Sequence, residues 1–172
     1  MNTSLPNPLL QTGSLPLFDQ IKPEHVNQAL DELLISTSKA LEQVTASDFP
    51  SDWHAIAKVL DVSIEKLGTA WSAVSHLNHV ADSPELRAAY NDALPKVTEF
   101  LTRLGADERL YAKYKAVNPE HLDAPQKQAL KNALRNFVLG GADLQGEAKT
   151  RYAAIQERMA ELSQKFLSLI HI

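Results

Sequence analysis

Cysteine is absent from this 172-residue chain. That excludes a disulfide framework, a thiolate zinc site, an iron–sulfur cluster and a cysteine nucleophile. Long apolar runs are absent as well. None approaches the ~18 residues that read as a transmembrane helix, so no membrane span is expected. Residues 1–16 carry neither a basic stretch nor a continuous apolar one, so no secretory signal is expected. Neither sign of charge dominates: 17 Lys and Arg against 21 Asp and Glu leave a formal net charge of −4. The electrostatic case for a nucleic-acid partner is therefore weak. The lack of cysteine fits a reducing compartment, and neither nucleic acid nor membrane is expected as partner. Period-two alternation of apolar residues, the mark of a half-buried strand, is also missing, and the fold class is all-α.

What is present is helical punctuation. Residues 1–20 hold Pro6, Pro8, Gly13 and Pro16, which forbid a regular helix, yet they also carry Leu9, Leu10, Leu15, Leu17 and Phe18. A disordered tail rarely holds so many large apolar groups, so this segment reads as an extended arm laid on a helical body. Pro23 and Glu24 suit the first turn of a helix that ends near Ser47. From Asp52 to His79 the residues Trp53, Ile56, Leu60, Ile64, Leu67, Trp71, Val74 and Leu77 step by three or four, one long stripe. Gly68 lies inside it, and its smallness suggests a close helix contact. Ser83-Pro84-Glu85 starts a third helix, in which Pro95 is expected to make a break or kink. A short helix spans Asp107 to Val117. Pro119-Glu120-His121 repeats Pro23-Glu24-His25 and reads as a second, similar helix start. Asp123 with Gln126 caps a fifth helix, which Gly140-Gly141 stops near Leu139. The last begins near Gly146, and Tyr152, Ile155, Met159, Leu162 and Phe166 take steps close to a heptad seam. The architecture expected is an antiparallel, bundle-like domain of about six helices.

The candidate chemistry is thin. His-Glu-x-x-His, the helical zinc-enzyme motif, is absent from the sequence. His76, His79 and Asp82, at i, i+3 and i+6, would share one side of a continuous helix and could hold a divalent metal. Histidines also favour a helix C-terminus for its dipole alone, and that reading is preferred. Gly140, Gly141 and Gly146 lack the Lys-Ser/Thr of a phosphate loop and read as a helix stop. Arg135, Lys149, Arg151 and Arg158, interspersed with acids, read as solvated faces. Trp53 and Trp71 read as core. No catalytic, cofactor-binding or metal-ligating residue is assigned.

A resemblance goes further. Asn7-Pro8-Leu9-Leu10, Leu15-Pro16-Leu17-Phe18 and Ile21-Lys22-Pro23-Glu24-His25-Val26 are followed by Trp71-Ser72-Ala73-Val74-Ser75-His76-Leu77-Asn78. Leu134-Arg135-Asn136-Phe137-Val138-Leu139-Gly140-Gly141-Ala142-Asp143-Leu144 and Arg151-Tyr152-Ala153-Ala154-Ile155-Gln156 complete the series. In order and spacing these segments resemble the N-terminal region of oligopeptidases of the thimet-oligopeptidase-type zinc metallopeptidase family, as far as about Phe166.

The resemblance implies a helical wall of a narrow channel that admits short unstructured peptides. It also implies that the zinc ligands and the general-base glutamate lie in a C-terminal catalytic half that has no counterpart here. On this reading the chain is a fragment, inactive alone. It has no cofactor of its own, zinc belonging to the full-length family, and its partners are the missing catalytic half and, through it, short peptides. The expected domains are an arm over 1–20, a helical domain over 21–166 and a non-family tail over 167–172. Leu167-Ser168-Leu169-Ile170-His171-Ile172 departs from the polar family continuation and equals an in-frame translation of a transposon mosaic-end adapter, as at a fragment end. The competing readings are a freestanding helical binding or regulatory module and a small metalloenzyme centred on His76, His79 and Asp82. A fragment is expected to expose a contiguous apolar patch where the missing half packs.

Overall fold

Six helices make up the body of the protein, preceded by an irregular arm. The computed structural model describes residues 7–11, 13 and 15–170, the side chains of 167, 168 and 170 excepted. The parts of the predicted arm and tail at 1–6, 12, 14, 171 and 172 lie outside the described residues. Helix α1 is Pro23–Thr45. Helix α2 covers residues 53–80 in three consecutive pieces: Trp53–Ile56, a π turn at Ala57–Asp61, and Val62–Val80. Helix α3 is Pro84–Gly105, α4 is Glu108–Lys115, α5 is Ala124–Leu139 and α6 is Gly146–Ile170. No strand occurs among the described residues, so the all-α expectation holds.

The starts follow the sequence signals. Ser83 Oγ accepts from the Leu86 amide at 3.1 Å, and Asp107 Oδ1 accepts from the amides of Arg109 and Leu110. Asp123 and Gln126 form the predicted reciprocal box: the Gln126 amide donates to Asp123 Oδ1 at 2.8 Å and the Asp123 amide to Gln126 Oε1 at 3.0 Å. At Lys22 the cap is different. Its amide donates to His25 Nδ1 at 3.1 Å, so the imidazole takes the role a glutamate would have.

Three expectations are corrected. Helix α3 does not stop at Pro95; it continues to Gly105. Pro95 and Asn91, whose carbonyl loses its intrahelical donor, both lie on the exposed side, where solvent can satisfy the freed oxygen. Pro119-Glu120-His121 does not begin a helix like Pro23. It forms one isolated 3₁₀ turn, because Leu122 returns to extended backbone and sinks into the core before Asp123 caps α5. The feature that does recur is Asn-Pro: Asn7 and Asn118 each cap a single 3₁₀ turn by accepting from the amide two residues on. Gly68 makes no close helix contact, since a Cβ there would meet open space.

Helix directions can be read from cross-links. Thr37 Oγ1 lies 3.3 Å from the Ser63 carbonyl and donates more closely to Leu33 O at 2.7 Å, levelling the middles of α1 and α2. Lys96 reaches Asp31, and Arg103 reaches Ser38, so α3 runs parallel to α1 with a constant offset. The α2 hairpin between them makes the trio up-down-up. Leu30, Leu41, Ile56, Leu60 and Leu67 are fully buried within it, and Leu110 of the fourth helix is buried in the same cluster. Each contributes about 1.5–3 kcal/mol of burial. The arm closes one end of the trio, with Leu9 buried against α1 and α2 while Leu15 stays exposed. Helix α4 caps the opposite end, α5 packs on α4, and α6 lies along α3.

Candidate functional site

His76, His79 and Asp82 do not converge. Helix α2 ends at Val80, and Ala81 leaves helical geometry at φ −140° and ψ 43°, so Asp82 is off the helical face that the spacing assumed. Each of the three is engaged elsewhere. The His76 ring lies 5.3 Å from Phe18 of the arm, His79 Nδ1 meets the Ser75 carbonyl one turn back, and Asp82 pairs with Arg87. Among the described residues no group of three His, Cys, Asp or Glu side chains is placed to hold a metal ion. The remaining candidates also have ordinary structural roles. Trp53 meets Tyr114 edge-on at 6.1 Å, and Trp71 stacks on Tyr90 at 4.8 Å. Lys149 pairs with Glu108, and Arg158 with Glu161.

Two concavities lie along α3 and α6. These helices run antiparallel: a hollow of about 450 Å³ is lined by Arg103, Arg109, Lys149 and Tyr152, and a second of about 590 Å³ by Pro95, Ala160 and Gln164. Glu99 and Glu157 line both. Ala153 and Ala160 are the small residues that let α6 approach. At one end, Tyr152 Oη donates to the Leu139 carbonyl at 3.2 Å, fixing the start of α6 against the end of α5. At the other, Gln164 Oε1 is buried without a hydrogen-bond partner. The groove is rimmed by ion pairs. Arg109 forks onto Glu42 at 2.8 and 2.9 Å and also reaches Asp107 at 2.9 Å, tying α4 to α1. Hydrogen bonding to Arg109 lowers the Glu42 pKa. Burial alone would raise Asp107, but the hydrogen bonds from Arg109 and the Leu110 amide leave it lowered. These are fixed charges, suited to holding a shape. Nothing in the sequence pairs Arg109 with Glu42 across 67 positions.

One carboxyl moves the other way. Asp61, on the π turn of α2, has its pKa raised by burial, against a 3.3 Å hydrogen bond donated by Tyr114 Oη. Burial also pushes the Tyr114 phenol up. The pair sits beside the Trp53, Tyr114 and Phe137 rings.

The outer face of α6 is apolar and open. Ile155, Met159, Leu162, Phe166 and Leu169 are 46–66% exposed, and Val138 and Leu139 of α5 are exposed as well. The side of α6 turned to α3 carries Ala153, Gln156, Ala160 and Gln164, all part-buried. What the arrangement offers is a charged groove on one side of α6 and an apolar seam on the other, that is, surfaces for contact.

Comparison with known proteins places these surfaces in context. Residues 28–149 match the family model described as Neurolysin/Thimet oligopeptidase, N-terminal domain. Oligopeptidase A of Salmonella typhimurium is 41% identical over 164 residues, and that of Escherichia coli 40% identical over 164 residues. Each alignment covers 93% of this chain and 24% of the relative. The probable cytosolic oligopeptidase A of Arabidopsis thaliana is 31% identical over 164 residues, again 93% of this chain and 23% of the relative. The chain thus spans about a quarter of the length of the curated relatives it matches.

Proposed function

The chain belongs to the Neurolysin/Thimet oligopeptidase N-terminal domain family, and on that footing we propose that it is the channel-wall portion of a zinc metallo-oligopeptidase that degrades short peptides, inactive by itself. The observation that carries this reading is the alignment: 93% of this chain fits 24% of oligopeptidases A. The helical wall and the apolar outer face of α6 support it, because both are contact surfaces rather than a reacting centre. In such an enzyme zinc polarises the scissile carbonyl and activates water. On this reading the zinc would be held by a catalytic portion of a longer chain, beyond these 172 residues. This chain would supply shape, excluding folded proteins from the channel. The proposed location is the cytoplasm, in keeping with the name of the Arabidopsis cytosolic relative. No helix among the described residues is long and apolar enough to cross a membrane.

A short quenched-fluorescent peptide incubated with the purified chain and added zinc should remain uncut. Reproducible, chelator-sensitive cleavage by this chain alone would overturn the proposal. Sequencing the gene beyond the codon for Phe166 tests the other half of it, since the frame should continue to His-Glu-x-x-His. The boundary proposed at 166/167 is a matter of sequence only; the α6 backbone continues without interruption to Ile170. A freestanding helical binding module is the second reading, favoured by a core that closes around Leu30, Leu41 and Leu60 within this chain alone. A natural stop codon soon after Phe166 would favour it.

A further inference from the structure

We propose that His25 is an acid-sensitive latch: while its ring is neutral it holds the N-terminal arm against the start of α1, and its protonation lets the arm go. The latch is a short chain of hydrogen bonds through this residue. Lys22, at the N-cap of α1, has no side-chain oxygen to offer the first turn. Its own amide instead donates to His25 Nδ1 at 3.1 Å, and the His25 amide returns a bond to the Lys22 carbonyl at 3.0 Å. The His25 carbonyl then accepts from Asn7 Nδ2 of the arm at 2.9 Å. Asn7 Oδ1 accepts from the Leu9 amide at 3.0 Å, and Leu9 is buried where the arm meets α1 and α2. The imidazole is thereby connected to the buried anchor of the arm.

The first bond fixes the protonation state. An amide can donate to Nδ1 only where that nitrogen keeps its lone pair, so the ring is neutral with its proton on Nε2. An imidazolium has two N–H groups and no acceptor. It would also put a positive charge at the end of the helix that disfavours one. Both effects loosen the first turn, which carries the carbonyl that Asn7 holds. Glutamine at this position would cap at any pH, whereas histidine changes its charge between about pH 8 and pH 5. On its own turn His25 is flanked by Lys22 and Glu24. The charged and titratable groups of the adjoining segments are Asp19 of the arm, His76, His79 and Asp82 at the end of α2, and Glu85 and Arg87 at the start of α3. Among the described residues none of these pairs with the His25 ring. Asp82 binds Arg87, His79 meets the Ser75 carbonyl and His76 lies against Phe18. The hold on the arm is therefore complete above the imidazole range and weakens as pH falls through it. The inference is independent of the peptidase reading, which can stand whether or not the arm is released.

An NMR titration of the whole chain from about pH 8 to about pH 5 tests the latch. The Leu9 methyl signals should move from docked toward released with the same midpoint as the His25 ring protons. The released fraction should grow about fivefold, the effect of losing one hydrogen bond. His25→Gln keeps an uncharged acceptor for the Lys22 amide, and its Leu9 signals should not respond to pH. His76→Gln removes the histidine that touches Phe18 of the arm and should leave the response intact. Asn7→Ser keeps a capping oxygen for the Leu9 amide but is too short to reach the His25 carbonyl, so its arm should already be released at the alkaline end. Helical circular dichroism checks that each variant folds. Leu9 signals that stay fixed across the range in the parent chain would overturn the proposal. So would a response that persists in His25→Gln, one that vanishes in His76→Gln, or an arm that stays docked in Asn7→Ser.

Discussion

Two polar clusters in this protein titrate with opposite consequences. Asp61 is held above the ordinary carboxylate range by burial. A carboxyl raised on folding contributes its stability below the unfolded pKa of about 3.9 and loses it as the pH climbs through the folded value. At neutral pH the charged Asp61 therefore costs stability, softened only by the Tyr114 hydroxyl. Asp61→Asn keeps an acceptor for that hydroxyl and removes the charge. It should melt at a higher temperature than the parent at pH 7, and the difference should disappear in thermal scans below about pH 4. Arg109 works the other way. Glu42 and Asp107 are both lowered, so their contribution is complete above the ordinary carboxylate pKa and is lost as pH falls through the lowered values. Arg109→Met should cost about 1 kcal/mol in urea unfolding at pH 7, because the fork is bidentate but largely exposed. The gap should narrow only in acid.

At the scale of elements, the end of α5 concentrates the backbone constraints. Gly141 has φ +88°, its amide donates to Val138 O, and the Ala142 amide donates back to Phe137 O at 2.9 Å. Together these form a Schellman stop, with Ala142 buried behind it. Gly140 is in ordinary helical geometry at φ −77°, but its missing Cβ matters more: a methyl there would lie 2.7 Å from the Gly105 carbonyl at the end of α3. Gly141→Ala should cost about 1–2 kcal/mol from left-handed strain. Gly140→Ala should cost about 1–3 kcal/mol by forcing α5 from α3. Urea melts of the two variants check both values. The sequence announces the stop itself, since two glycines after an apolar run have one common use. It cannot announce the contact with Gly105, which depends on how two helix ends meet. The same division runs through the fold. Ser83, Asp123 and Gln126 were legible because a cap is a local device. The π turn at 57–61 was not, because the apolar stripe of α2 steps by three or four straight through it. The break expected at Pro95 does not occur, because a proline on an exposed helix face leaves its orphan carbonyl to water. In the candidate site, the apolar spacing of α6 could be read directly. The Asp61–Tyr114 pair and the Arg109 fork join residues too far apart in sequence for any motif to mark.

For the molecule as a whole, the helices are not equally committed. The α1–α3 trio surrounds residues such as Leu30, Leu60 and Val97 that are almost wholly enclosed. None of the described side chains of α6 is buried; its inner face is part-buried and its outer face is open. Its ties are packing along α3, the Tyr152 hydrogen bond to Leu139 and the exposed Lys149–Glu108 pair. Exposed pairs of that kind contribute little, so α6 should open without unfolding the trio. Native-state hydrogen exchange at low protein concentration should show amides of residues 150–166 losing protection well before those of residues 29–44. Tyr152→Phe should speed that exchange by roughly fivefold, the effect of losing about 1 kcal/mol from one hydrogen bond, while the trio's rates stay unchanged. Uniform protection across α1, α3 and α6 would show instead that the six helices unfold as one unit.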